Sequence, residues 1–317
     1  MASRVYNVHI DQALTAFAVQ LPSIQGMISD QVCPFSKVKH ETDSFYKFYR
    51  EELKDHEVIV ADGVEAPELE IDWTTDTYKC TEKKLKTKMT DRILKNCDSV
   101  IAFGQRCTSK LINTLRIRRE QRVKVIVETA SNWDGSATPT TKWDNATPVI
   151  EDDINTVKQA FLLQAGCLPN MCIINDQVRD AIHNYLVHHA ASAVSLKEWR
   201  GNAYSKGTMS GPYAPFQGLF GIQNWYVGSQ IYDTAGIGVQ TEVNARIWND
   251  ICWFGYVEPN PVGNQVQTAM LTFQSRYYQV KKFRKEEVDS TYVQVSHLDV
   301  EKVASSELGY LLYGVLT

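Results

Sequence analysis

The spacing of apolar residues along the chain predicts a mixture of helices and strands. Between residues 81 and 115 the apolar and small positions recur in steps of three or four, which is the period of an amphipathic helix. This stripe comprises Leu85, Met89, Ile93, Cys97, Val100 or Ile101, Gly104, Thr108, Leu111 and Leu115. A helix of that span is on the order of 50 Å long, well beyond the three turns of an average helix.

Alternating patterns predict strands on both sides of this helix. Residues 58–60 run into Asp62-Gly63, a dipeptide typical of hairpin turns, and residues 69–73 then alternate between apolar and acidic side chains. The stretch RVKVIVET at 122–129 places three valines on one face, which predicts a further strand. We therefore expect an extended hairpin before the long helix and a strand after it.

A second helix is predicted directly after a loop rich in Ser, Thr, Gly and Pro. In the stretch WDNATPVIEDDI, Pro148 precedes three acids, Glu151 to Asp153, which fall in the first helical turn, where the helix dipole favours negative charge. Apolar positions continue to Phe161, and Gly166 ends the pattern. The three acids are better explained as helix capping than as a metal site.

The rest of the chain alternates short helices and strands. Residues 1–32 carry scattered apolar positions interrupted by Pro and Gly, which indicates an arm rather than a long helix. A short apolar run at 171–174 precedes a predicted helix over roughly 176–190. Residues 199–264 are rich in Gly, aromatic residues and strand formers, and the last fifty residues contain several further strand patterns.

The predicted hairpin is acidic, whereas the segment that follows it is basic. Residues 57–72 contain six acids and no Lys or Arg, whereas residues 79–95 contain seven Lys and Arg against two acids. Lysines on a helix usually form a solvated face, but here they could also bind an acidic partner surface. A long two-stranded hairpin is marginal alone in water, so it needs a surface on which to lie.

Composition narrows the class of protein. A net charge of -4 and a pI of about 6.0 argue against a dedicated nucleic-acid binder. The seven cysteines are odd in number and widely spread, and the N-terminus lacks the apolar core of a signal peptide, which favours free thiols in a reducing cytoplasm. No run approaches the length of a membrane span, so a soluble globular protein is expected.

Motifs for catalysis or cofactor binding are absent or weak. Cys167 and Cys172 with the histidines at 183, 188 and 189 do not have zinc-site spacing, and no phosphate-binding glycine loop or G-x-S-x-G elbow is present. A nucleophile whose partners meet only in the folded chain stays open. The aromatic block at 220–232 lacks interleaved basic residues, which favours a core role over base stacking. We expect no enzyme activity, no metal and no cofactor.

The order of these segments resembles the tailed-phage major capsid protein family, whose fold is shared with encapsulins and the herpesvirus capsid floor. The short motifs that carry the resemblance are MISDQVCP at 27–34, the run from Asp72 into the long helix, KWDNATPVIEDDI followed by GCLPNMCIINDQV, GLFGIQNWYVGSQIYDT, IWNDICWFGYV and the terminal GYLLYGVLT. The resemblance covers nearly the whole chain, although each motif is short.

The resemblance implies an α+β fold in five parts. These are an N-terminal arm (1–32), an extended hairpin loop (33–80), a peripheral domain with a long spine helix (81–149), an inserted axial domain (150–265) and strands returning to the peripheral domain (266–317).

The resemblance also implies a function. The chain would be a major capsid protein that assembles as hexamers and pentamers into an icosahedral shell around double-stranded phage DNA. Its expected partners are a separate scaffolding protein, a portal, non-specifically contacted DNA and possible decoration proteins, in a virion assembled in the host cytoplasm. An encapsulin-like compartment and an unrecognised cytosolic hydrolase are the alternatives.

Complementary charge suggests how copies would bind each other. The hypothesis places the acidic hairpin of one copy on the basic helix face of its neighbour, with added burial of apolar side chains. The residues assigned to this contact are Glu65, Glu68, Glu70, Asp72, Ile71, Trp73, Lys83, Lys84, Lys86 and Lys88.

Overall fold

The computed structural model describes residues 9–21, 26–47, 59, 65, 68, 74–96, 100–188, 220–235, 241, 243–259 and 267–317. Its helices are α1 (Gln12–Gln20), α2 (Ser29–Val32), α3 (Asp91–Lys95), α4 (Val100–Glu128), α5 (Ile150–Ala165) and α6 (Asp176–His188). Its strands are β1 (His9–Ile10), β2 (Phe35–Lys37), β3 (Thr42–Lys47), β4 (Thr74–Lys79), β5 (Thr81–Thr90), β6 (Gly135–Ala137), β7 (Met171–Asn175), β8 (Asn224–Gly228), β9 (Ile231–Asp233), β10 (Asn244–Arg246), β11 (Cys252–Gly255), β12 (Met270–Lys285), β13 (Ser290–Val303) and β14 (Gly309–Leu312).

The long helix is present, but its predicted position was wrong. Helix α4 has 29 residues and is therefore about 44 Å long, yet it begins at Val100 rather than at residue 81. Residues 81–90 form strand β5 instead, and Thr90 then caps the five-residue helix α3 by accepting a hydrogen bond from the Ile93 amide. The basic segment that sequence reasoning placed on a helix face thus lies on a strand.

The strand predicted at 122–129 was also wrong, because these residues form the last turns of α4. Val123 and Val127 are fully buried, whereas Val125 between them is 61% exposed. Burial at every fourth residue is the helical pattern, since residues i and i+4 lie on the same face of a helix. The alternating valines are therefore not on one face.

The first sheet has the order β1-β12-β13-β5, with β2 also paired to β12. The strands β12 and β13 form a long antiparallel hairpin, and β5 pairs with β13 along its whole length at the sheet edge. Helices α4 and α1 pack on one side of this sheet. Leu111, Ile112 and Leu115 of α4 meet Val293 and Val295 of β13 in a common apolar cluster.

The second sheet has the order β6-β14-β11-β7-β8 and supports α5 and α6. The predictions in this region were confirmed: α5 has three acids in its first turn, and Gly166 at its end takes a left-handed conformation with φ of 70°. The short strand at 171–175 and the following helix were also found. Phe220 and Trp225 of the aromatic block are buried core residues.

The structure describes the two strands from which the predicted hairpin would extend. Strands β3 and β4 pair antiparallel, and Lys47 lies opposite Thr74 at the last pair of this register. Phe45 and Tyr78 anchor this ribbon on Phe273 of β12, with ring centroids 5.0 and 4.3 Å away. The predicted turn at Asp62-Gly63 and the alternating residues 69–73 lie outside the described residues.

The stretch WDNATPVIEDDI is a structural joint. Trp143 is buried and donates its indole N–H to Asp153 of α5 over 2.9 Å. The Trp143 amide also donates to the carbonyl of Val315, and Asp144 accepts a hydrogen bond from the Thr317 amide. The loop before α5 is thereby fixed to the C-terminal segment.

Candidate assembly interface

The lysines of β5 fall on two faces of the strand. Lys84, Lys86 and Lys88 are exposed, whereas Lys83 is only partly exposed and shares its face with the buried Met89. Alternate side chains of a strand point to opposite faces, so only three of the four predicted lysines can meet a partner on the outer face. Since α4 covers the other face, the three exposed lysines point away from the helix.

Two further lysines extend this outer surface across the sheet. In the strand register Lys86 lies opposite Gln294, which lies opposite Lys281, and Lys88 lies opposite Tyr292, which lies opposite Phe283. Residues directly opposite each other in an antiparallel pair share a face. We call this surface the lysine face; it comprises Lys84, Lys86, Lys88, Lys281 and Lys285.

An aromatic pair lies at the centre of the lysine face. The rings of Phe283 and Tyr292 stack at 5.6 Å with an interplanar angle of 9°. The ammonium groups of Lys86 and Lys285 each lie 5.6 Å from the centroid of the Tyr292 ring. Sequence reasoning missed Lys281 and Lys285. The strand pattern of YYQVKKFRK places these two lysines on one face, because they are four residues apart.

Lys83 belongs to a buried charged cluster instead of the lysine face. Its ammonium group contacts the Asp299 carboxylate and lies 3.6 Å from Glu301. Arg122 of α4 donates two hydrogen bonds to Glu301, at 2.8 and 3.0 Å. His297 Nε2 lies 3.3 Å from Asp299. The cluster joins β5, β13 and α4 within one chain, so assigning Lys83 to an inter-subunit contact has no geometric support.

The cluster holds its carboxylates in the charged form. Burial raises the pKa of Asp299, but the contact with His297 and the positive charge of Lys83 outweigh it, so that its pKa lies below the ordinary value. Burial likewise raises the pKa of Glu301, and the hydrogen bonds and charge of Arg122 more than offset this, giving a lowered pKa. The negative charges of the cluster are therefore retained into mildly acidic solution.

A second set of buried contacts ties the N-terminal segment to α4. Arg119 is almost fully buried, contacts Asp30, donates to the Cys33 carbonyl over 2.8 Å and lies 4.0 Å from the centroid of the Phe35 ring. Its neighbour Glu120 is also fully buried. Both side chains are therefore buried within the chain and do not belong to the lysine face.

The acidic half of the proposed contact is only partly described. Glu65 and Glu68 are exposed, and Ile59 at the start of the segment is 83% exposed. Glu70, Ile71, Asp72 and Trp73 lie outside the described residues. The contact between the acidic segment and the lysine face therefore stays a prediction.

Other kinds of site find little support in the described part of the chain. There, no group of three or more His, Cys, Asp or Glu side chains is placed to hold a metal ion. A groove of about 580 Å³ lies between Trp143, Tyr185 and Arg246, and its described lining residues include no Ser, Cys or His. Across the described residues, no helix combines the length and apolar character needed to cross a membrane.

Comparison with known proteins finds similar structures but no similar sequence. No protein-family model matches the chain, and no curated protein matches it in sequence. A phage-related protein from Bordetella bronchiseptica is similar in structure with a TM-score of 0.70 and 16% identity, over 96% of this chain and 97% of that chain. The capsid of Myoviridae phage XM1 gives a TM-score of 0.55 and 9% identity, over 92% and 93% of the two chains.

A virus-like particle from Pyrococcus furiosus gives a TM-score of 0.52 and 11% identity, over 95% of this chain and 96% of that chain. Most of the matching structures, however, are tailed-phage capsid structures. At these identities the likeness concerns the fold, and it extends over nearly the full length of both partners. The chain therefore has the α+β fold of tailed-phage capsid structures, as its segment order predicted.

Proposed function

We propose that this chain is a major capsid protein, whose copies assemble into an icosahedral shell around a double-stranded DNA phage genome. The observation that carries the proposal is the match of the whole fold to phage capsid structures, with 92% of this chain and 93% of the XM1 capsid chain covered. A match over nearly the full length of both chains favours the same kind of structural role for this one. Its role is structural rather than enzymatic.

The contact between copies is formed by the acidic segment 57–72 and the lysine face. Two features support it: six acids without a Lys or Arg in the segment, and four exposed lysines with the partly exposed Lys281 on the lysine face. Single exposed ion pairs contribute only about 0 to 1 kcal/mol, so many pairs and some apolar burial must act together. The stacked Phe283 and Tyr292 rings supply an apolar surface for such burial.

The five-part organisation is retained in this proposal, with the spine helix assigned to α4. The β3–β4 ribbon supports an extended loop within 33–80, because its strands hold the ends of residues 48–73 together. The axial domain at 150–265 contributes β7, β8 and β11 to the second sheet, in which β6 and β14 provide the other strands. The inserted domain and its flanking segments thus share one sheet.

The partners follow from the shell. Copies form hexamers and pentamers, and a scaffolding protein, a portal, packaged DNA and decoration proteins act with them. The site of action is the virion capsid, assembled in the host cytoplasm.

Electron microscopy of the expressed, purified chain tests the proposal. We expect closed shells, or tubes and curved sheets built from repeating rings, together with elution in the megadalton range on size-exclusion chromatography. A uniform small oligomer at high protein concentration would contradict the proposal. The nucleic-acid content of particles from infected cells separates a phage capsid from an encapsulin-like compartment, the alternative named from the sequence.

A further inference from the structure

The layer formed by α4, β5, β12 and β13 is strongly cationic, although the chain as a whole is acidic. These four elements together contain 17 Lys and Arg against 5 Asp and Glu, whereas the net charge of the chain is -4. The overall charge of the chain therefore does not reveal this local basic surface. A basic surface that is concentrated on one element is typical of proteins that bind a polyanion.

The exposed side of α4 carries part of this charge. Arg106, Lys110 and Arg118 are exposed and lie four or eight residues apart, with the exposed Thr114 between them. They form a ridge that rises about 18 Å along the helix axis. Among the described residues none of the three forms an ion pair, and Arg118 donates only to the neutral Gln121 over 3.1 Å.

The ridge and the lysine face lie on opposite sides of the layer. Leu111, Ile112 and Leu115 of α4 pack against the inner side of the sheet, so the exposed residues of α4 point away from it. The lysine face points away from α4 on the other side. If the acidic segment of a neighbour covers the lysine face, the ridge remains accessible to a different anionic partner.

We propose that the Arg106–Lys110–Arg118 ridge contacts the phosphate backbone of double-stranded DNA enclosed by the shell. This inference rests on the proposed function, which supplies DNA on one side of the shell wall. Arg and Lys side chains without base-reading neighbours fit sequence-independent phosphate contact. An acidic protein helix would need apolar anchors beside the charges, and the side chains between these three residues on the exposed side are polar.

The test compares two variants of the full chain that lose equal charge. Arg106→Gln, Lys110→Gln and Arg118→Gln remove the ridge, whereas Lys39→Gln, Arg92→Gln and Lys95→Gln remove three exposed cations elsewhere. Binding of unassembled subunits to a labelled 30-base-pair duplex is measured by fluorescence anisotropy at several salt concentrations. Circular dichroism checks that each variant is folded.

We expect the ridge variant to lose affinity about tenfold or more at low salt. The slope of log K against log salt should become shallower by about 2 to 3, since each phosphate contact contributes about 0.9. The matched variant should change the slope by less than one. Equal effects in both variants, or no effect of the ridge variant, would overturn the proposal. So would ridge-dependent binding of poly-glutamate without ridge-dependent binding of the duplex, which would identify an acidic protein partner.

The binding assay does not depend on assembly, so its failure can be distinguished from failure of the proposed function. Shells with unchanged duplex binding in the ridge variant would retain the capsid function and remove this contact. Ridge-dependent duplex binding by a chain that forms no shells would retain the DNA contact and contradict the capsid function.

Discussion

Trp248 donates its indole N–H to Glu120 over 2.8 Å, and both side chains are almost completely buried. The same carboxylate accepts hydrogen bonds from the amides of Ile28 and Ser29, at 3.0 and 2.9 Å. One buried acid on α4 thus holds the N-terminal segment and the loop after β10 in place. A buried carboxyl group is tolerated when its oxygens accept hydrogen bonds, as both do here.

Replacing this acid should destabilise the unassembled chain. Glu120→Gln keeps the shape of the side chain but replaces one acceptor oxygen with an N–H group that faces donors. We expect the free energy of unfolding to fall by about 1 to 3 kcal/mol, measured by urea denaturation. Gln121→Ala, at the next and partly exposed position, is the control and should have a much smaller effect. An unchanged transition midpoint for Glu120→Gln would contradict the assigned contacts.

Adjacent lysines of β5 should have opposite phenotypes. Lys83→Gln leaves the buried Asp299 without its ammonium partner, and we expect a loss of about 1 to 3 kcal/mol in the free energy of unfolding. Lys84→Gln removes an exposed charge whose one ion pair among the described residues is with the exposed Glu82, so stability should change by less than about 0.5 kcal/mol. Similar destabilisation by both substitutions would show that the two lysines do not lie on opposite faces.

Stability should decrease in acid because of the charged cluster. The pKa values of Asp299 and Glu301 are lower in the folded chain than in the unfolded chain, so their contribution is present at neutral pH. This contribution begins to be lost when the pH falls below the pKa values of the unfolded chain, which are about 4. The loss continues as the pH approaches the lower pKa values of the folded chain. Urea denaturation between pH 7 and pH 3 measures this loss.

Glu301→Gln should reduce that dependence. The variant should lose less stability between pH 7 and pH 3 than the wild-type chain, whereas Glu68→Gln, at an exposed position, should follow the wild-type curve. An identical pH dependence for all three proteins would place the acid-sensitive groups elsewhere.

Charge reversal should separate assembly from folding. Glu65→Lys, Glu68→Lys and Glu70→Lys together should impair shell formation while the subunits stay folded, because the lysine face would then be repelled. Lys84→Glu, Lys86→Glu and Lys88→Glu should have the same effect. Electron microscopy and circular dichroism measure the two properties.

Combining the two reversed sets should restore assembly in part, since the signs are again complementary. If each set alone assembles normally, the acidic segment and the lysine face do not meet. If the combination is no better than either set, the two surfaces contribute independently.

Local signals were predicted well from the sequence. The start and end of α5 follow from three acids in the first turn and from Gly166, which are interactions within a few residues. The strand at 171–175 and the helix after it were likewise set by short apolar patterns. These elements needed no information about distant parts of the chain.

The error at β5 arose because its pattern fits two periods. Leu85 and Met89 are four residues apart, which suits one face of a helix and equally one face of a strand. The alternation of lysines with other residues in KLKTKM at 84–89 is a local strand signal that the helical interpretation passed over. The pairing with β13, some two hundred residues later, determines the outcome. The position of Lys83 apart from its neighbours followed from that pairing.

The most direct test of the contact between copies is cross-linking in shells assembled from a mixture of light and heavy-isotope subunits. A carbodiimide joins carboxylates to amines at contact distance, and mass spectrometry reads the isotope composition of each linked peptide pair. The account predicts links from Glu65 or Glu68 to Lys84, Lys86 or Lys88 in peptide pairs of mixed isotope composition. Links between these residues found only in pairs of a single isotope, within one chain, would contradict it.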